Sequence, residues 1–139
     1  AVEVSAVFAA GADADAPIVV IAHGAGAGMD HPFLLGFAEG LHAQGLGALR
    51  FVFPYAEAGR RMPGPAAHAI LTWRAVVAAA RERTSSALIA CGKSYGGRMA
   101  SMAAAEDLGL GVAGLLLSRT GELLADPSGR CHCDVCHPL

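Results

Sequence analysis

Ala87-Leu-Ile-Ala-Cys-Gly-Lys-Ser-Tyr-Gly-Gly-Arg98 decides the fold. Ala87–Cys91 is a short apolar run suited to a buried strand, and Gly97–Leu108 behind it carries a helical pattern. Between them, Gly92-Lys93-Ser94-Tyr95-Gly96 fits G-x-S-x-G. In a strand–turn–helix setting that spacing marks a nucleophile elbow. Gly92 and Gly96 free the backbone to turn sharply and keep side chains away from a strained central residue. Ser94 then stands exposed at the C-terminal end of its strand. An ordinary glycine-rich turn has the same letters, so the reading needs support from another part of the chain.

The support lies upstream. Ile18-Val-Val-Ile-Ala22 is short, fully apolar and β-branched, as a parallel strand covered on both faces is. It runs into His23-Gly-Ala-Gly-Ala-Gly28. Acyl-transfer sites stabilise an oxyanion with two backbone N–H groups. One comes from the residue after the nucleophile, here Tyr95, and one from a loop after an earlier strand that often begins His-Gly. Ala25 is the candidate for the second donor. The competing reading is a flexible Gly/Ala linker.

The rest of the chain alternates in the same way. Val2–Phe8 reads as a strand, Phe33–Gln44 as a helix with Pro32 at its start, and Ala48–Phe53 as a strand ended by Pro54. Glu57–Pro65 reads as a loop. Ala66–Arg83 reads as a helix with Ile70, Trp73, Val77 and Ala80 on one face, and Val112–Leu117 as a last strand. Strands alternating with helices predict a mostly parallel sheet with helices on both faces, an α/β three-layer sandwich. The Tyr55–Pro65 loop falls at the C-terminal side of that sheet, where ligands bind in α/β folds. Arg60 and Arg61 in it are candidates for a substrate carboxylate, against the plainer reading of solvated surface arginines. Arg98 reads as a surface or inter-element ion pair.

Composition bounds the partners. The chain has 139 residues, is 54% hydrophobic, and has a formal charge of −2. Its ten basic residues form no block or stripe, which argues against nucleic acid or an anionic membrane. No apolar run approaches the roughly 18 residues of a membrane span. No basic-then-apolar leader is evident, so the expected setting is the cytoplasm. Two nucleotide motifs fail on spacing. Gly92-Lys93-Ser94 lacks the glycine of a phosphate loop, since position 87 is Ala. Gly24-x-Gly26-x-Gly28 has its third glycine misplaced for a dinucleotide loop and no acidic residue after the next strand. No cofactor is expected.

Three stretches taken together, His23-Gly-Ala-Gly-Ala-Gly-Met-Asp-His-Pro-Phe33, Arg50-Phe-Val-Phe-Pro-Tyr-Ala-Glu-Ala-Gly-Arg-Arg61 and Gly92-Lys-Ser-Tyr-Gly-Gly-Arg-Met-Ala-Ser101, resemble the small α/β-hydrolases of the Tex30/KANL3-like group, relatives of the dienelactone-hydrolase-like enzymes. The resemblance spans residues 1–117. It implies a serine nucleophile at Ser94, an oxyanion loop at Gly24–Gly26, and a structural role for His23 in shaping that loop. It also implies an antiparallel first strand at the sheet edge, and the Ile18 strand between the Ala48 and Ala87 strands. The activity implied is hydrolysis of an ester or similar acyl substrate. The rival is a non-catalytic remnant or interaction module with the same core.

The resemblance stops near Leu117, before the strands that carry the triad's acid and histidine. Residues 118–139 shift to Cys, His, Arg and Pro and read as an irregular tail out of register with the family, from a shifted frame or a cut gene. The expectation is a sheet cut short at its C-terminal strands, with Val112–Leu117 an uncovered edge open to self-association. Asp126 or Asp134 followed by His132 or His137 keeps the order Ser, acid, His, yet nothing in the pattern returns them to Ser94. Acid and base stay unassigned. Cys131-x-Cys133-x-x-Cys136-His137 packs its ligands too closely for a tetrahedral shell, so no metal site is assigned. Cys91 reads as a small buried core residue.

Overall fold

The computed structural model describes residues 3–118. The tail residues just named, from Asp126 to His137, lie outside the described residues. Five strands make one sheet in the order β1-β3-β2-β4-β5. β1 (Ala6–Ala9) is antiparallel to β3 (Gly47–Phe51); β2 (Ile18–Ala22), β3, β4 (Leu88–Lys93) and β5 (Gly114–Ser118) are mutually parallel. The first strand is thus an antiparallel edge, and β2 lies between β3 and β4, as the resemblance implies.

β2 explains why the layers form. All five of its residues are buried. Ile18, Val20 and Ala22 face one hydrophobic cluster, while Val19 and Ile21 face the other. A strand's side chains alternate between faces, so an unbroken apolar run must be covered twice. α3 (Ala66–Arg83) and α4 (Tyr95–Glu106) cover the first face through Ile70, Trp73, Val77, Ala80, Met99 and Ala103. α1 (Pro32–Ala43) covers the second with Leu34, Phe37 and Leu41. Each fully buried Val or Ile contributes about 2 kcal/mol. Among the described residues no helix is long and apolar enough to cross a membrane.

Several boundaries differ from the sequence reading. β1 is Ala6–Ala9 rather than Val2–Phe8, because pairing with β3 starts at Ala6 opposite Phe51. β3 is Gly47–Phe51 rather than Ala48–Phe53. The Phe53 N–H leaves the ladder for a side chain, and Pro54 opens a short helix, α2 (Pro54–Glu57), ahead of the expected loop. Proline suits a first helical position because its missing N–H is not needed there. β4 runs on to Lys93, paired with Ser118. The last strand is Gly114–Ser118 rather than Val112–Leu117. α4 starts at Tyr95, two residues before the expected Gly97, and ends at Glu106 ahead of a 3-10 turn at Leu108–Gly111.

α3 and α4 are pinned together at the turn. Trp73 of α3 is fully buried, donates from Nε1–H to the Gly96 carbonyl at 3.1 Å, and packs edge-on to Phe51 at 5.0 Å. Trp73→Phe keeps most of the apolar contact and removes the donor. It should lower unfolding free energy by about 2 kcal/mol. Leu71→Ala, on the exposed side of the same helix, should change it by under about 0.5 kcal/mol. Urea denaturation of the two variants checks this; equal losses would contradict it.

Candidate active site

Ser94 links β4 to α4 in a single residue, with φ +49° and ψ −110°. A side chain at positive φ costs on the order of 1–3 kcal/mol and persists only where the surroundings enforce it. Here they do. Ser94 N–H donates to the Ser118 carbonyl at the end of β5, and the Ser94 carbonyl accepts from Arg98 N–H at 3.0 Å. The start of α4 presses against the sheet at three glycines. A Cβ on Gly92 would collide with the Gly96 and Gly97 backbone; one on Gly96 would lie 2.5 Å from the His23 carbonyl oxygen; one on Gly97 would lie 2.7 Å from the Gly92 carbonyl oxygen. The side chain of Ser94 emerges exposed. Gly97 escapes the sequence reading because G-x-S-x-G ends one residue before it. The doubled glycine was the available signal.

The glycine loop after β2 approaches this turn. Gly24 is close enough that a Cβ there would meet the Lys93 carbonyl oxygen at 3.4 Å and the Ser94 Cβ at 3.9 Å. Gly26 turns the loop at φ +74°. Ala25, Ser94 and Tyr95 line one cleft of about 850 Å³. Tyr95 is the first residue of α4, where amides have no acceptor within the helix. Among the described residues, the Ala25 N–H also has no backbone acceptor. The structure therefore brings Ser94, Tyr95, Ala25 and the supporting glycines into one place.

His23 holds that loop from beneath. It is fully buried. Its Nε2 accepts from Phe53 N–H at 3.1 Å, which leaves the proton on Nδ1, 2.8 Å from the Gly24 carbonyl. Both nitrogens are engaged, and the ring packs edge-on to Phe53 at 5.0 Å. Burial pushes its pKa below the ordinary value, partly offset by the bond to Gly24. At the far end of the loop, Arg50 on β3 donates to the Met29 carbonyl at 2.7 Å and pairs with Asp30 at 3.0 Å. An arginine inside an apolar strand, Leu49-Arg50-Phe51, was the signal for this anchor.

The other candidates separate. Arg98 lines the Ser94 cleft with its guanidinium 6.0 Å from the Tyr95 ring; its expected ion pair is not found among the described residues. Arg60 lines an adjoining cavity, and Arg61 lines neither. The pKa of Glu57 is lowered from its ordinary value by the hydroxyl and N–H of Ser5, at 2.7 and 3.1 Å. Met62, Pro63 and Gly64 form a wall of the cleft that no motif announces. Cys91 is a buried thiol whose pKa is pushed up to about 12 by burial. Among the described residues, no three metal-ligating side chains come together.

A model of the family described as alpha/beta hydrolase domain matches residues 15–118. No curated protein matches the chain. Solved structures similar to it include Est1E from Butyrivibrio proteoclasticus with bound ferulic acid, at 20% identity and a TM-score of 0.71 over 81% of this chain and 47% of that one. An α/β serine hydrolase without lid from Xanthomonas campestris matches at 19% identity and a TM-score of 0.68, over 82% and 54%. An alpha-beta serine hydrolase homologue from Coxiella burnetii matches at 17% and 0.67, over 82% and 56%. The chain spans about half the length of these structures.

Two outcomes follow from the packing. Gly96→Ala should cost about 3 kcal/mol by forcing α4 off β2, whereas Gly28→Ala, which meets open space, should cost under about 0.5 kcal/mol; urea unfolding distinguishes them. The second outcome depends on pH. As pH falls, the unfolded chain protonates this imidazole first, because the folded pKa lies lower. The His23 contribution is whole above about pH 6.5 and shrinks as pH drops toward the folded value. From about pH 7.5 to about 5.5, the native chain should lose more stability than His23→Gln. Equal losses would contradict a buried neutral imidazole.

Proposed function

Because the chain belongs to the alpha/beta hydrolase domain family, we propose that it carries serine-hydrolase chemistry at Ser94 on an ester or similar acyl substrate. The observation that carries this reading is the strained Ser94 turn opening into the same cleft as Ala25 and Tyr95. Ser94 Oγ attacks the acyl carbonyl. The N–H groups of Tyr95 and Ala25 take the developing oxyanion. The alcohol leaves with the proton that Ser94 Oγ gives up, and water then adds to the acyl-serine, releasing the acid and returning a proton to Ser94 Oγ. We also place the chain in the Tex30/KANL3-like group within this family, on its three quoted stretches. The 118–139 tail is proposed as a segment separate from the core, and the setting as the cytoplasm, where Cys91 stays a thiol.

One observation favours the rival reading of a core without catalysis. Serine needs a base within hydrogen-bond reach, and among the described residues no histidine lines the Ser94 cleft. His23 is committed to Phe53 and Gly24, and His68 lines the adjoining cavity. Without a base, an oxyanion hole can still give residual catalysis. The 139-residue chain is therefore expected to react slowly with a fluorophosphonate, only at Ser94 by peptide mass spectrometry, and not at all as Ser94→Ala. Modification at another residue, or none, would overturn the hydrolase reading. Fast stoichiometric reaction at Ser94 would show that a base is present and would remove the rival.

A further inference from the structure

A cavity of about 190 Å³ adjoins the Ser94 cleft, with Tyr95 and Gly64 common to both walls. Cavities of about 150 Å³ accept a benzene ring. Phe53, Tyr55 and Tyr95 make its walls. Phe53 and Tyr55 stack at 6.3 Å and 13°, and Tyr95 meets Tyr55 edge-on at 6.0 Å and 86°. Two nearly parallel rings and one perpendicular to them form a corner that a further planar ring can continue by offset or edge contact.

Arg60 brings a fixed positive charge to the cavity. Among the described residues, Arg60 and His68 line it and no carboxylate does. Glu57, the nearest acid in sequence, is turned to Ser5 and lines a different cavity. Arg60 has no ion-pair partner among the described residues. Tyr55 is 8% exposed, with its buried Oη beside the backbone of Gly26. Arg98, on the Ser94 side of Tyr95, is the one charged side chain among the described residues lining its cleft. A guanidinium without a carboxylate suits an anion.

We propose that this cavity is a subsite for an aromatic carboxylate, the aryl ring lying against Tyr55 and Tyr95 and its carboxylate meeting Arg60. The inference rests on the reading of the Ser94 cleft as the reaction site, and it extends that reading to esters whose acyl part bears a ring and a second, anionic group. The carboxylate is held beyond Tyr95 while the ester carbonyl reaches Ser94.

Benzoate binding tests it without any turnover. Calorimetric titration of the 139-residue chain should give saturable benzoate binding at least about tenfold tighter than acetate, which lacks the ring, or benzamide, which lacks the charge. Arg60→Gln should weaken it about tenfold, the worth of one charge-assisted bond. Arg61→Gln, the exposed neighbour that lines neither cavity, should leave it within about twofold, as should Ser94→Ala. No saturable binding, equal affinity for benzamide, or an equal loss with Arg61→Gln would overturn the subsite. Loss of benzoate binding with Ser94 still phosphonylated rejects the subsite alone; failure of phosphonylation with binding intact rejects the hydrolase reading alone.

Discussion

The structure depends on a backbone contact without side chains, between the start of α4 and the ends of β2 and β4. Gly92, Gly96 and Gly97 bring the helix so close that a methyl group at any of them would overlap main-chain atoms. That closeness turns the chain through one residue, Ser94, at a φ that only a supported backbone holds. It also places the α4 amides where Ser94 emerges, and lets Gly24 approach the turn from β2. A helix set one methyl group farther out would carry Ser94 and the Tyr95 amide together away from Gly24 and the loop after β2.

Around this contact the buried polar groups act on backbone. The imidazole of His23 ties the Gly24 carbonyl to the Phe53 amide, and so ties the loop after β2 to the end of β3. The Trp73 indole ties α3 to the Gly96 carbonyl. Arg50 ties the far end of the loop to β3. Each is a side chain bonded to a main-chain group, as buried main-chain groups require of their surroundings.

Much of this was legible in the sequence because glycine and apolar runs report local requirements. Ile18–Ala22 specified a strand buried on both faces, and the Gly92–Gly96 spacing specified a turn with a helix close behind. Other features were not legible because they join distant segments. Nothing local in Trp73 says that its indole reaches Gly96, and nothing in Phe53-Pro54-Tyr55 says that its rings wall a cavity beside Ser94. The end of β3 shifted because a side chain took a ladder hydrogen bond, as His23 does at Phe53. Arg60 and Arg61 look equivalent in sequence, and only the fold assigns one of them to a cavity.

The central claim is that Ser94 stands between two backbone donors, and a crystal structure of the fluorophosphonate adduct tests it most directly. The account predicts phosphorus on Ser94 Oγ, with one phosphoryl oxygen about 2.7–3.1 Å from both the Tyr95 and Ala25 nitrogens. A phosphoryl oxygen turned to solvent, with neither amide in reach, would contradict it.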